Sequence, residues 1–270
     1  MKTTTRNFTK LGLAVAATLL AASANAVSYT WDFTNLPSSP TQSFTSTNNG
    51  QTITLSAYST AASADTAAGL TSRNASSWVN ATFNNYSPSG FGISNSVQSA
   101  STESNSPQHA VDSIGATDII VIDAGLGKKI DWTSFLIGYG VDGANSNQAD
   151  MEAWTSGSQT SSLNFHNVCF SGSCAAGTST LAALGFTTNT YNNVGVGNTT
   201  TIDNGNPNAA LAPSRYLVLA GNIGQFDDAF KLKTINGSTP TGGQAPEPAS
   251  LALLGLGLLG LGVSRRRRAV

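Results

Sequence analysis

Four oxygen-bearing side chains crowd the stretch GVDGANSNQAD: Asp142, Asn145, Asn147 and Asp150. Carboxylate and amide oxygens at such spacing suit a hard cation, calcium before any other. The EF-hand pattern is not met, because its glycine and its closing bidentate acid are misplaced. Asp and Asn also favour turns for their own backbone reasons. The four residues are therefore weak calcium candidates, and an ordinary loop is the competing reading. Asp227 and Asp228 form a second acidic pair, expected in a solvated turn ahead of the last strand.

The remaining reactive residue types are few. Cys169 and Cys174, in CFSGSC, are the only cysteines. In an exported chain they suit a small disulfide staple; two free thiols are the alternative. A zinc site finds too few partners, since the chain has two histidines, His109 and His166, far apart in sequence. A hydrolase would pair His109 with Asp112 and one of the many serines, but no Gly-x-Ser-x-Gly elbow is present. Glycoside hydrolysis needs two carboxyls across a cleft, and the sequence places no such pair. No catalytic residue is assigned. Four tryptophans could stack on sugar rings. Trp31, Trp78 and Trp132 lie in strand-like runs and belong in a core, which leaves Trp154 as the candidate for an exposed platform.

Short β-rich runs must position these residues. Residues 27–34 and 51–58 alternate apolar and polar positions, with Ile53, Leu55 and Ala57 on one face. Runs at 77–84, 90–94, 130–140, 215–221 and 229–236 follow the same style. DIIVID at 118–123 carries a continuous apolar run, Ile119 to Ile122, and reads as a central strand. The spacers NNG, SPSG, AGLGKK, DGANSNQ and NGNPN have turn chemistry, and 175–184 could form one helical turn. The pattern predicts an all-β fold, an antiparallel β-sandwich of jelly-roll type, over residues 27–236, followed by a flexible linker at 237–245.

The two ends are of another kind. Lys2, Arg6 and Lys10, an apolar run from Leu11 to Ala22, and the small residues Ala24 and Ala26 make a secretory signal peptide over residues 1–26, cleaved after Ala26. At the other end Pro246, Glu247 and Pro248 precede an uncharged stretch from Ala249 to Val263, and Arg265, Arg266, Arg267 and Arg268 follow. The stretch is short for a span but sufficient for a hydrophobic transmembrane helix that is marginal or transient. The arginines stop transfer and keep the C-terminus cytoplasmic before processing. Gly255, Gly257 and Gly260 match a dinucleotide-loop spacing only formally, because no strand precedes them.

Pro-Glu-Pro, a short apolar span and an arginine cluster, in that order over residues 246–270, resemble the PEP-CTERM sorting signal. The resemblance implies recognition and cleavage by exosortase, an integral-membrane enzyme of Gram-negative bacteria that often make exopolysaccharide. PQHAVD at 107–112, DIIVID, FLIGYG, YLVLAG and DAFKL resemble, across residues 90–237, exosortase-dependent surface proteins whose β-rich body has no established activity. That likeness implies no catalytic residues.

Charge agrees with export. Seven of the 13 basic residues lie in the two ends, leaving six basic against 14 acidic residues between Val27 and Pro248, a formal balance of −8. Such a body repels nucleic acid. The expectation is a non-enzymatic protein of the cell surface or extracellular matrix, held transiently at the inner membrane, processed by exosortase and tied to envelope, biofilm or exopolysaccharide. A secreted carbohydrate-binding module, with calcium as its one conceivable cofactor, is the alternative, and a secreted hydrolase stands behind it.

Overall fold

Two-residue alternation builds most of this protein. In the computed structural model, Gln51–Thr60 buries every second side chain, Ile53, Leu55 and Ala57 among them. The structure describes residues 26–35, 40–60, 78–95, 109–113, 116–170, 177–202, 212–225 and 227–240. The chain divides into two units, Val27–Thr239 and the two terminal segments together. The first unit is the β body.

Its strands run β1 (Ser28–Asp32), β2 (Ser43–Asn48), β3 (Gln51–Thr60), β4 (Trp78–Asn80), β5 (Thr82–Asn85) and β6 (Phe91–Ser94). The middle of the body supplies β7 (Val111–Asp112), β8 (Asp118–Asp123), β9 (Asp131–Asp142), β10 (Asn145–Ser146) and β11 (Gln148–Thr155). Then come β12 (Val168–Cys169), β13 (Ser179–Thr180), β14 (Thr187–Gly195), β15 (Thr199–Thr201), β16 (Tyr216–Gly221) and β17 (Asp228–Ser238). One sheet has the order β10-β9-β17-β6-β5, with β1 and β7 also on β17 and β15 on β9. The facing sheet has the order β14-β11-β16-β8-β3-β2, with β4 on β3. All pairings within these two sheets are antiparallel, so the body is an all-β sandwich. The β12–β13 pair is parallel and separate.

The main core fills the space between the sheets. Trp31, Phe135, Ile137, Phe230 and Leu232 come from one sheet, and Ile53, Leu55, Ile122, Met151, Leu217 and Leu219 from the other. A second apolar cluster covers the outer face of the β14–β2 sheet. There Ile119, Val121, Trp154, Tyr216 and Val218 meet Phe165, Val168, Phe170, Leu181 and Phe186 from the segments around β12 and β13. Trp78 joins them, stacked on Phe165 with centroids 5.6 Å apart. Double coverage explains why IIVI within β8, between Asp118 and Asp123, and YLVLAG are continuous apolar runs: β8 and β16 are buried on both faces.

Trp154 is thereby corrected. It is 3% exposed and packs against Phe170 at 5.3 Å; all four tryptophans are buried. Within the stretch expected to form one helical turn, residues 181–185 form a hydrogen-bonded turn, closed by Leu184 N–H on Thr180 O and Phe186 N–H on Leu181 O; residues 175 and 176 lie outside the described residues. β17 runs two residues into the stretch read as linker, through Gly237 and Ser238. The NNG spacer closes the β2–β3 hairpin, with Asn49 and Gly50 at φ 47° and 77°, the two left-handed positions that a tight hairpin turn requires.

Candidate functional site

Asp142 ends β9 and Asp228 begins β17, and the two stand directly opposite in the ladder. The next pair on the same face is Gly140 with Phe230, whose ring lies in the core. Both acids therefore turn inward at one end of the sandwich, and Asp228 is fully buried. The solvated turn expected for it is corrected on that ground; Asp227, beside it, is exposed.

The other sheet brings Asp150 to the same place. The β11–β14 register shifts between Ala149 and Met151, so Asp150 sits on an irregularity that re-aims it. Its N–H donates to Asp228 Oδ1 at 2.8 Å, and its own Oδ1 accepts from Asn193 N–H at 2.6 Å. Gln148 donates to Asp142 Oδ2 at 3.2 Å and to Asn193 Oδ1 at 2.6 Å. Gln225, its amide nitrogen turned inward, donates to Asp228 Oδ2 at 2.9 Å and Asp150 Oδ2 at 3.2 Å. Asp142, Asp227 and Asp228 each present a carboxylate oxygen, all within 4.8 Å of one another.

Gathering these charges has an electrostatic consequence. Burial raises Asp228 from 3.8 to about 7; the Asp150 N–H works against the rise, and the charges of Asp150, Asp142 and Asp227 add to it. At neutral pH the cluster can hold a shared proton, or its all-oxygen donors can take a hard cation. Of the weak calcium candidates, Asp142 and Asp150 belong to this cluster. Asn145 and Asn147 lie exposed on the adjoining hairpin tip. Sequence reasoning singled out Asp228 as part of an acidic pair but did not join it to Asp142 and Asp150, because it is distant along the chain. Its one signal was phase, two residues ahead of the apolar Phe230.

His109 and His166 lie elsewhere. His109 Nδ1 hydrogen-bonds Ser94 Oγ, which also accepts from Asn84 at 2.7 Å, and the ring stacks on Tyr86. The serine a hydrolase reading would have paired with His109 is thus Ser94. Asp112 is buried on β7 opposite Ala229. His166 Nδ1 donates to the Trp78 carbonyl at 2.7 Å and belongs to the cover of the second cluster. Cys169 is fully buried and disulfide-bonded; Cys174, the other cysteine, lies outside the described residues.

Ala26 is an exposed residue just before β1. Ala24, Pro246, Glu247, Pro248 and Arg265 to Arg268 all lie outside the described residues, as do the signal peptide and the apolar stretch 249–263. Among the described residues no helix is long and apolar enough to cross a membrane. Residues 244–268 match the family model of the PEP-CTERM protein-sorting motif. Neither a search of curated proteins nor one of solved structures finds a match.

Proposed function

We propose, from the premise that this chain is a PEP-CTERM protein and an exosortase substrate, that its β-sandwich is a non-enzymatic component of the cell surface or extracellular matrix that helps organise exopolysaccharide. The sorting motif carries this reading, because it commits the chain to export and to a membrane-held stage of processing. The body supports it by character. Its surface strands β2 and β14 read SFTSTN and TTNTYNNVG, rich in hydroxyl and amide groups and free of charge. Such groups hydrogen-bond polysaccharide hydroxyls without needing an aromatic platform. Deleting the gene from the producing bacterium should release exopolysaccharide from the cell-bound fraction and thin the biofilm. Unchanged polymer retention and biofilm mass in the deletion strain would count against the reading.

A second reading, a cation-dependent carbohydrate-binding module, draws on the convergence of Asp142, Asp227 and Asp228 with Asp150. Calcium would hold these carboxylates in their charged forms and replace the proton on Asp228. Millimolar calcium should then raise the melting temperature by a few degrees at pH 8, less at pH 5, and not in Asp142→Asn or Asp228→Asn. A melting temperature indifferent to calcium at pH 8 removes this reading.

A further inference from the structure

Three strands terminate at the pole opposite the acidic cluster. β1 starts there at Ser28, β17 ends there at Ser238, and β9 starts there at Asp131, with Ser28 and Asp131 on either side of Ser238. Thr239 ties the pole together: its N–H donates to the Val27 carbonyl at 2.9 Å, and its Oγ1 accepts from Val27 N–H at 2.8 Å. The turn 124–129, which joins β8 to β9, therefore sits at the end from which the chain continues toward its sorting motif.

That turn has an unusual make-up. Leu126 is 74% exposed; it and Val27, at the same pole, are the exposed large hydrophobic residues among those described. Gly125 and Gly127 take φ of 97° and 72°. This left-handed geometry folds the backbone tightly and leaves Leu126 at the apex. Lys128 and Lys129 follow, both exposed. Lys129 also donates to the Gly157 carbonyl, which positions its ammonium without neutralising it. The nearest acid in the chain before the turn, Asp123, is occupied by a bidentate pair with Arg215, both bonds 2.7 Å; after the turn comes Asp131. In a body with far more acids than bases, this turn concentrates exposed positive charge beside an exposed leucine.

We propose that the 124–129 turn is a membrane-contact tip. Leu126 enters the bilayer interface, and Lys128 and Lys129 bind anionic lipid headgroups while the uncut tail holds the protein at the membrane. Ten residue steps separate Thr239 from Ala249, where the apolar stretch begins, and fully extended they reach at most about 35 Å. The pole therefore stays near the lipid surface for as long as the tail is inserted. One leucine and two lysines make a weak contact alone, but tethering turns it into an intramolecular one with a high effective concentration. Expected signal cleavage after Ala26 would add the α-ammonium of Val27 at the same pole. The contact would fix which end of the sandwich faces the membrane during processing, and it rests on the sorting tail rather than on any role in the matrix.

The test uses the full chain with its tail, in proteoliposomes of phosphatidylethanolamine and phosphatidylglycerol that include acyl-brominated lipid, read on the vesicle-bound fraction. Leu126→Trp adds an emission to those of the four buried tryptophans; Asn145→Trp, on the exposed β10 tip of the opposite pole, is the control. The emission added by Leu126→Trp should shift blue and lose most of its intensity to the brominated lipid, and that of Asn145→Trp should not. Reversing both lysines, Lys128→Glu with Lys129→Glu, should abolish the quenching. Quenching at Leu126→Trp no greater than at Asn145→Trp overturns the proposal, as does quenching that survives the lysine reversal. Loss of the matrix phenotype would leave this result untouched, so the two readings fail separately.

Discussion

In a host that carries exosortase, a chain with Glu247→Ala, or one lacking Arg265 to Arg268, should remain at full tail length after export. The two changes act on different steps. Proline disfavours helix for itself and for the residue before it, so the sorting reading expects Glu247 to be presented to the enzyme between Pro246 and Pro248. Removing its carboxylate removes the one charged group between Lys233 and Arg265. In the same reading the arginines would set depth. Each costs about 2.5–3.5 kcal/mol at the centre of a bilayer, so in the sorting reading four together would stop the short apolar stretch from sliding through and would keep Pro246–Pro248 at the surface. Without them the segment would have no fixed register against the enzyme. Intact mass of the exported protein separates cut from uncut product, and a normal-sized mature product from both variants would contradict the assignment of these residues.

How far this molecule could be read from its sequence depended on how many faces of each strand are covered. β3 shows clean alternation because one face meets the core and the other is more open, and β8 is apolar from Ile119 to Ile122 because both faces are covered; each pattern names its environment. β14 is a different case. TTNTYNNVG mixes strand-favouring Thr, Tyr and Val with Asn and Gly and shows no apolar alternation, yet it is held as an edge strand by its ladder with β11. Trp154 was misplaced for the same reason. Its strand is buried from Ala149 to Thr155 on both faces, and the cover comes from Phe165 to Phe186, which no local pattern in β11 could announce. The acidic site was half legible: Asp142 and Asp150 share one stretch of sequence, whereas Asp228 joins them only through the pairing of β9 with β17.

Acidification from pH 8 to pH 5 should raise the stability of this protein, and Glu152 should account for a large share of the gain. Glu152 lies on β11 between Ala220 of β16 and Thr190 of β14, two residues from Trp154 and two from Asp150. It is 9% exposed, and burial raises its carboxyl from 4.5 to about 7. Between those two values the unfolded chain is ionised at this position while the folded protein keeps its proton. Each rise in pH across that window then favours the unfolded state. The stabilisation is complete below about pH 4.5 and is lost as the pH climbs through 7. Asp228, raised from 3.8 to about 7, has the same sign. For Glu152 the shift corresponds to about 2 kcal/mol once residual solvent access is allowed for, or roughly 4–8 °C in melting temperature for a domain of this size. Glu152→Gln removes the titration and keeps the shape. Its melting temperature should exceed that of the unaltered protein by about that margin at pH 8 and match it at pH 5, leaving the shallower slope that belongs to Asp228. Thermal melts followed by circular dichroism across this range decide the matter. Parallel pH curves for Glu152→Gln and the unaltered protein would mean that the Glu152 carboxyl is ionised and solvated in the folded state, and that the outer face of β11 is more open to water than its burial indicates.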